Sequence, residues 1–348
     1  MRLFEAYVSS KIINNIFICV LTCIFLFHIQ FSNAQGLIKQ TPERYIGITL
    51  GLHSSDYNYN YELLLNEIKA TNSKWISLTF KFYQDNIKSN QIEIPDTSSA
   101  YWKQIDETIQ QAKAKDLKVM LLPIVLLRNA FKKEWRGKLK PENKEEWFKS
   151  YSKLMVQVSK MAEKHNVELF SIGSEFSSLE NEQDLWNMII ENIKAEYSNE
   201  ITYSVNWDSI EDLSFINKLD LLGISGYFSL TNKNDPTVKE LYKKWIAIRD
   251  SIKVIQQQID KPIFFSEIGY TSQDGTNKDP WNYFISTEVD LQEQVDCYTA
   301  FTRAWKNEDW FAGVFFYDWF GEGGNCDLGY TMRNKPVLKV LKQWFTTK

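Results

Sequence analysis

Apolar residues fall along this chain in short, nearly unbroken runs rather than in strict alternation. The runs are Tyr45–Leu50, Lys74–Tyr83, Leu117–Leu126, Val167–Gly173, Ile201–Trp207, Leu219–Tyr227, Pro262–Ile268 and Phe311–Trp319. Strands buried on both faces of a parallel sheet read this way. Between the runs the pattern lengthens to that of amphipathic helices. Helices are predicted over Asn60–Ala70, Trp102–Lys115, Trp147–Lys164, Asp184–Tyr197, Val238–Gln258, Leu291–Asn307 and Pro336–Phe345, with Ser98-Ser99 placed to cap the second. Eight strands alternating with helices predict an α/β fold, a single (β/α)8 barrel. The stretch Ser209–Asn217, where a fifth helix belongs, is short or irregular in pattern. An open doubly wound sheet is the rival. No Gly-x-Gly-x-x-Gly follows the first strand, which weakens a dinucleotide reading.

Composition narrows the picture. The chain has 348 residues and a net charge of -4, with no basic block that would serve a nucleic acid. Aromatics make up 15% of it, including 12 Trp. Most belong to a large core, and the excess also suits stacking on sugar faces. At the N-terminus, Arg2 and Lys11 precede an apolar run from Ile16 to Ile29, and Ser32-Asn33-Ala34 comes after it. That is the pattern of a secretory signal peptide over residues 1–34, cleaved to leave one catalytic domain over 35–348. The run is short for an uncleaved anchor. The expected product is secreted or periplasmic, with no stable membrane association. Of four cysteines, Cys297 and Cys326 lie beyond the leader, and export permits but does not require their pairing. The three histidines, His28, His53 and His165, are scattered, so no metal or cofactor site is expected.

Two strand ends carry the chemistry. Phe170-Ser-Ile-Gly-Ser-Glu175 and Phe265-Ser-Glu267-Ile-Gly-Tyr270 each finish an apolar run on a glutamate. Barrel enzymes place their reacting groups at the C-terminal ends of the strands. Two glutamates facing each other there, on the fourth and seventh strands, are the pair that retaining glycoside hydrolysis needs. The plainer alternative makes both of them ion-pair partners at the strand mouths.

These motifs, with Pro280-Trp281 and Trp135-Arg136-Gly137, resemble glycoside hydrolase family 113, within the clan A retaining enzymes, from about Tyr45 to Trp344. The resemblance implies an endo-β-1,4-mannanase-like, metal-independent enzyme acting on a polysaccharide or oligosaccharide. By that similarity Glu175 is the acid/base, Glu267 the nucleophile, and Tyr227 a phenol that steadies the nucleophile. A ring under the sugar is expected from Trp207, Trp281 or Trp319, with Trp319 favoured because strand eight supplies that platform in the clan. Most clan families place Asn before the acid/base, but Ser174 stands here, so Asn206 becomes the candidate for the sugar 2-hydroxyl, or else a cap for its own loop. Asp318 and Glu322 are candidate hydroxyl ligands, and Arg128 or Asn129 could serve the apolar mouth of strand three. Two alternatives stay open: another β-glycan (β-glucan, xylan or a host glycan), and a barrel that binds glycans without cutting them.

Overall fold

Eight parallel strands close into one barrel in sequence order. The computed structural model describes residues 44–94, 99–210 and 213–346. The expected signal peptide and Ser98 lie outside the described residues. The strands are β1 (Tyr45–Gly51), β2 (Trp75–Gln84), β3 (Lys118–Leu127), β4 (Leu169–Ser174), β5 (Glu200–Asn206), β6 (Leu222–Ser225), β7 (Ile263–Ile268) and β8 (Phe311–Phe316). Parallel pairing of β8 with β1 completes the closure. The α-helices are α1 (Glu62–Lys69), α2 (Ser99–Ala114), α3 (Lys144–Lys164), α4 (Gln183–Lys194), α5 (Val238–Ile259), α6 (Leu291–Trp305) and α7 (Val337–Thr346). This is the (β/α)8 architecture that the hydrophobic runs predict.

The differences from the predicted elements are local. Helix α3 starts three residues early, because the Asn143 side chain accepts from the Glu146 N–H and caps it. Strand β6 keeps only four residues of its apolar run. Among the described residues, β5 and β6 are joined by a 3-10 turn (Ile216–Lys218) and no α-helix. Phe215, beside that turn, stacks on Trp186 of α4 at 4.6 Å and covers part of the barrel wall in a helix's place. Cys297 is buried and Cys326 exposed, and both are free thiols. Among the described residues no helix is long and apolar enough to cross a membrane.

Packing divides into two regions. The large cluster lies between the strands and the ring of helices, around Trp147, Trp186, Trp245 and Trp305, all fully buried. A separate cluster of Trp75, Met120, Leu122, Leu169, Leu221, Phe264 and Phe315 includes no helical residue and fills the barrel interior. Nearer the strand mouths the interior turns polar. Ser171, Thr202, Ser204, Ser225 and Ser266 are all buried, and the Ser204 and Ser266 hydroxyls bond at 2.5 Å. Small hydroxyl side chains therefore lie beside the strand-end glutamates.

Gly47 shows how tightly the interior is closed. A Cβ there would sit 2.4 Å from the Trp75 carbonyl oxygen and 2.8 Å from the Phe315 ring. Backbone on one side and a packed ring on the other leave no inexpensive relaxation. Gly47→Ala is expected to cost about 1–3 kcal/mol by overpacking, read as a lowered urea midpoint; an unchanged midpoint would mean the barrel can breathe at this point.

Candidate active site

Glu175 comes directly after β4. The β4–β5 register slips between Ser171 and Ser174, and such an irregularity re-aims the residues after it. Glu175 itself adopts a left-handed backbone, φ 56°. That conformation costs a non-glycine residue on the order of 1–3 kcal/mol and persists only where its surroundings impose it. Here the Glu175 N–H donates to the Ser204 carbonyl at 2.8 Å, and the Phe176 N–H donates to the Tyr203 hydroxyl at 2.8 Å. Gly173 is needed two residues earlier, because a Cβ there would lie 2.8 Å from the Tyr203 ring. The Ser-Ile-Gly-Ser-Glu segment thus holds a buried carboxylate in a fixed, strained pose.

Glu267 sits within β7 and is also buried. Its Oε2 accepts from the Tyr227 hydroxyl at 3.1 Å, and its Oε1 is buried with no hydrogen-bond partner. The Gly226 N–H donates to the Glu267 carbonyl at 2.7 Å and fixes the backbone. A side chain at Gly226 would press 2.7 Å from the Phe265 ring.

One cation serves both carboxylates. Arg136 Nη2 lies 2.5 Å from Glu175 Oε2, and its charge also acts on Glu267. The Trp135-Arg136-Gly137 motif explains how it is held. The Trp135 ring folds over the next glycine so closely that a Cβ at Gly137 would meet it at 2.4 Å. Burial works against the guanidinium charge, yet Glu175 and Glu267 together hold Arg136 above the ordinary arginine value. For Glu267, burial is the largest influence and Glu175's negative charge the next; they outweigh Arg136 and the Tyr227 hydrogen bond and push its carboxyl up to about 7. Burial and then the Glu267 charge raise the Tyr227 phenol well above its usual 10, so it remains a donor. Such a site holds a proton on one of two coupled carboxyls while leaving one carboxylate oxygen unengaged.

A cavity of ≈ 430 Å³ opens over Glu267 and Arg136. Tyr283, Tyr317 and Tyr330 wall it, together with His53, Lys81 and Asp318. The sequence candidates fall in different places. Tyr227 bonds Glu267. Trp207 and Trp281 stack face to face at 5.7 Å, 24° between planes, with Trp281 43% exposed. Trp319 is not among the cavity residues: it is 2% exposed, and its indole N–H donates to Glu67 of α1 at 3.0 Å. Tyr317 and Asp318 face the cavity instead, because β8 ends at Phe316 and strand parity no longer sets the direction of the residues beyond it. The Asn206 amide is used locally, donating to Asp208 at 2.8 Å and accepting from the Trp207 N–H at 3.0 Å. Asp318 lines the cavity while Glu322 is exposed. Arg128 stacks over Tyr83 at 4.5 Å, and Asn129 bonds Asp85.

Arg136 had a visible signal, a tryptophan-arginine-glycine triplet in a loop, but nothing in its spacing points to a carboxylate partner. Lys81, Tyr283 and Tyr330 gave none, since each looks like an ordinary strand or loop residue. Among the described residues, the acidic or histidine groups close enough to hold a cation are Asp235, Asp274 and Asp290, and none of them lines this cavity.

A closed parallel barrel with paired glutamates at the mouths of its fourth and seventh strands is the architecture of a glycoside hydrolase. The model of glycoside hydrolase family 113 matches residues 51–329, and the chain belongs to that family. Among solved structures, it is similar to the family 113 β-mannanase AaManA from Alicyclobacillus acidocaldarius in complex with ManMIm, at 24% identity and TM-score 0.78, over 88% of this chain and 98% of that one. Another family 113 β-1,4-mannanase structure matches at 25% identity and TM-score 0.78, over 88% and 100%. A β-glucuronidase of Dictyoglomus thermophilum shares the fold at 13% identity and TM-score 0.63, over 88% of this chain and 51% of that one. No curated protein matches the chain in sequence.

The electrostatics give a direct test. Glu267 binds its proton more tightly in the folded chain, with its value raised from 4.5 to about 7. The stability this lends is fully present below 4.5 and lost as pH rises through 7. Glu267→Gln removes that dependence, so its unfolding midpoint relative to the parent should be higher at about pH 8 than at about pH 4, on either side of that window. An equal difference at both would show that Glu267 is not raised. By carboxyl NMR, Tyr227→Phe should raise the Glu267 titration midpoint further and Glu175→Gln should lower it.

Proposed function

We propose that the chain is a secreted retaining β-glycoside hydrolase that cleaves β-1,4-mannan. The observation that carries this is the grouping at the barrel mouth: Glu175 and Glu267 are both buried at strand ends, Arg136 contacts Glu175, and Arg136 and Glu267 line one cavity. Family membership and the two β-mannanase structures support the substrate class. Export rests on the leader pattern at the N-terminus.

In the first step Glu267 Oε1 attacks the anomeric carbon while the bond to the leaving oxygen breaks. Glu175 gives its proton to that oxygen, and the sugar is left as an ester of Glu267. In the second step Glu175 takes a proton from water, the water oxygen bonds the anomeric carbon, and Glu267 departs as a carboxylate. Each displacement inverts the centre, so the product retains its configuration. With the proton on Glu175, the negative charge that helps to raise Glu267 is removed, and Arg136 and the Tyr227 hydrogen bond favour its ionised form. Arg136 then stays as counter-charge to Glu267, and Tyr227 orients it.

Aromatic rings extend the site beyond the carboxyls. Tyr317 is the platform for the sugar over Glu267, in the role expected of Trp319. The Trp207–Trp281 stack offers a flat apolar face farther along the chain of sugars. Asn206 holds the loop that carries Trp207.

Glu267→Ala should abolish release of new reducing ends from β-1,4-mannan, and azide should restore turnover with a product of inverted configuration. Unchanged turnover in this variant would remove the assignment. Parallel assays on β-glucan and xylan, with product lengths read by mass, should show mannan cut fastest; faster release from either of the others would move the enzyme to a different glycan.

A further inference from the structure

Two charges on the wall of the same cavity take no part in the double displacement. Lys81 stands on β2 and lines the cavity beside Ile124. Its backbone carbonyl accepts from the Tyr101 hydroxyl at 2.5 Å, but its ammonium makes no hydrogen bond or ion pair among the described residues. Burial lowers its pKa and the charge of Asp318 opposes that. Asp318 is nearly buried after β8, with Oδ2 held 3.2 Å from His53 Nε2. The His53 ring is in turn braced edge-on by Phe320 at 5.3 Å. The second Asp318 oxygen accepts no hydrogen bond among the described residues. Lys81 and Asp318 attract one another yet do not pair.

An ammonium half-buried in a cavity wall must take its partners from water or from a ligand that displaces it. The ligand that satisfies both groups must offer an acceptor to Lys81 and a donor to Asp318. An anionic group would suit Lys81 but face Asp318 and Glu267 in the same cavity, where Asp327 is already paired with Lys335. A cation would suit Asp318 but face Lys81 and Arg136. A neutral diol meets both demands, since each hydroxyl can donate or accept.

We infer that Lys81 and Asp318 are the specificity-determining pair for the sugar ring seated over Glu267, binding two of its neighbouring hydroxyls and selecting a neutral hexopyranose over a uronate. One hydroxyl accepts from the ammonium and the other donates to the carboxylate. His53 is the positioning residue that fixes Asp318. The inference rests on the proposed function, in which this cavity receives the glycan.

The test uses β-1,4-mannohexaose and its monodeoxy analogues, with affinity measured by calorimetry in the Glu267→Gln background and kcat/KM measured in the parental chain. Lys81→Met and Asp318→Asn should each weaken mannohexaose about tenfold or more, the range for hydrogen bonds to charged groups. One deoxy analogue should lose a similar factor against the parent and nothing further against Lys81→Met. A merely structural role for Lys81 would weaken every analogue alike. The ratio of mannohexaose affinity to that of β-1,4-hexamannuronate should fall in Asp318→Asn. Affinity within about twofold of the parent in Lys81→Met, deoxy penalties that persist in it, or an unchanged uronate ratio would each overturn the pair. Failure of the hydrolase reading looks different: Glu267→Gln would still release reducing ends, and the parental kcat/KM comparison would then judge the pair on its own.

Discussion

Two buried carboxylates and one largely enclosed guanidinium govern how this barrel mouth is built. Arg136 contacts Glu175 at 2.5 Å and its charge also acts on Glu267. Burial first and the Glu175 charge second, only partly offset by Arg136, raise the Glu267 carboxyl to about 7. Removing Arg136 would leave two like charges uncompensated, the arrangement that buried sites tolerate least. Much of the local architecture serves that cation. Trp135 folds over Gly137 to set the loop, and the tight 3-10 turn at Arg136–Lys138 fixes its backbone.

The loops around the cavity are held by polar anchors as well as by apolar packing. Lys335, with a fully buried side chain, bonds Asp327 at 2.7 Å, Ser272 at 2.8 Å and the Gly329 carbonyl at 2.8 Å. Glu293 of α6 accepts from the N–H groups of Gly275 and Asn277 at 2.8 and 2.9 Å. Glu67 of α1 receives two bonds from Arg333 and one from Trp319. The segment after β8 commits Trp319 and Met332 to the core while Tyr317, Asp318 and Asp327 line the cavity. Anchoring its backbone from behind with buried charges leaves the front face free, and it costs the desolvation of those charges.

This division also explains what could be read from the sequence. Burial on both faces makes parallel strands conspicuous, so all eight runs and both glutamates were legible. Among the described residues no α-helix joins β5 to β6, and the sequence showed this only as irregularity, because Phe215 supplies tertiary packing that no local period encodes. Trp319 misled for a related reason. A large ring near a strand end satisfies either the core or a ligand, and its composition does not say which. The outcome turned on Glu67, far away in sequence and bonded to the indole. Arg136 and Lys81 were opaque because their meaning lies in partners set by topology: one is paired with a strand-end carboxylate, the other faces Asp318 across a cavity.

Fold alone therefore does not choose the sugar. In the mechanism proposed above, the paired glutamates act on the anomeric centre and the leaving oxygen, so they and their guanidinium would serve any β-glycoside. Discrimination has to come from groups that touch the remainder of the ring, and here those groups stand on different elements: β2 for Lys81, the segments after β7 and β8 for Tyr283, Tyr317 and Asp318. Charge makes the choice coarse before shape refines it. On the inference drawn above, Glu267 and Asp318 disfavour a second carboxylate and Lys81 disfavours an amine, while Asp327 and Arg136 are paired with Lys335 and Glu175. On that inference, what such a mixed field admits at least cost is a neutral ring rich in hydroxyls, an argument from charge that does not depend on the family the barrel belongs to.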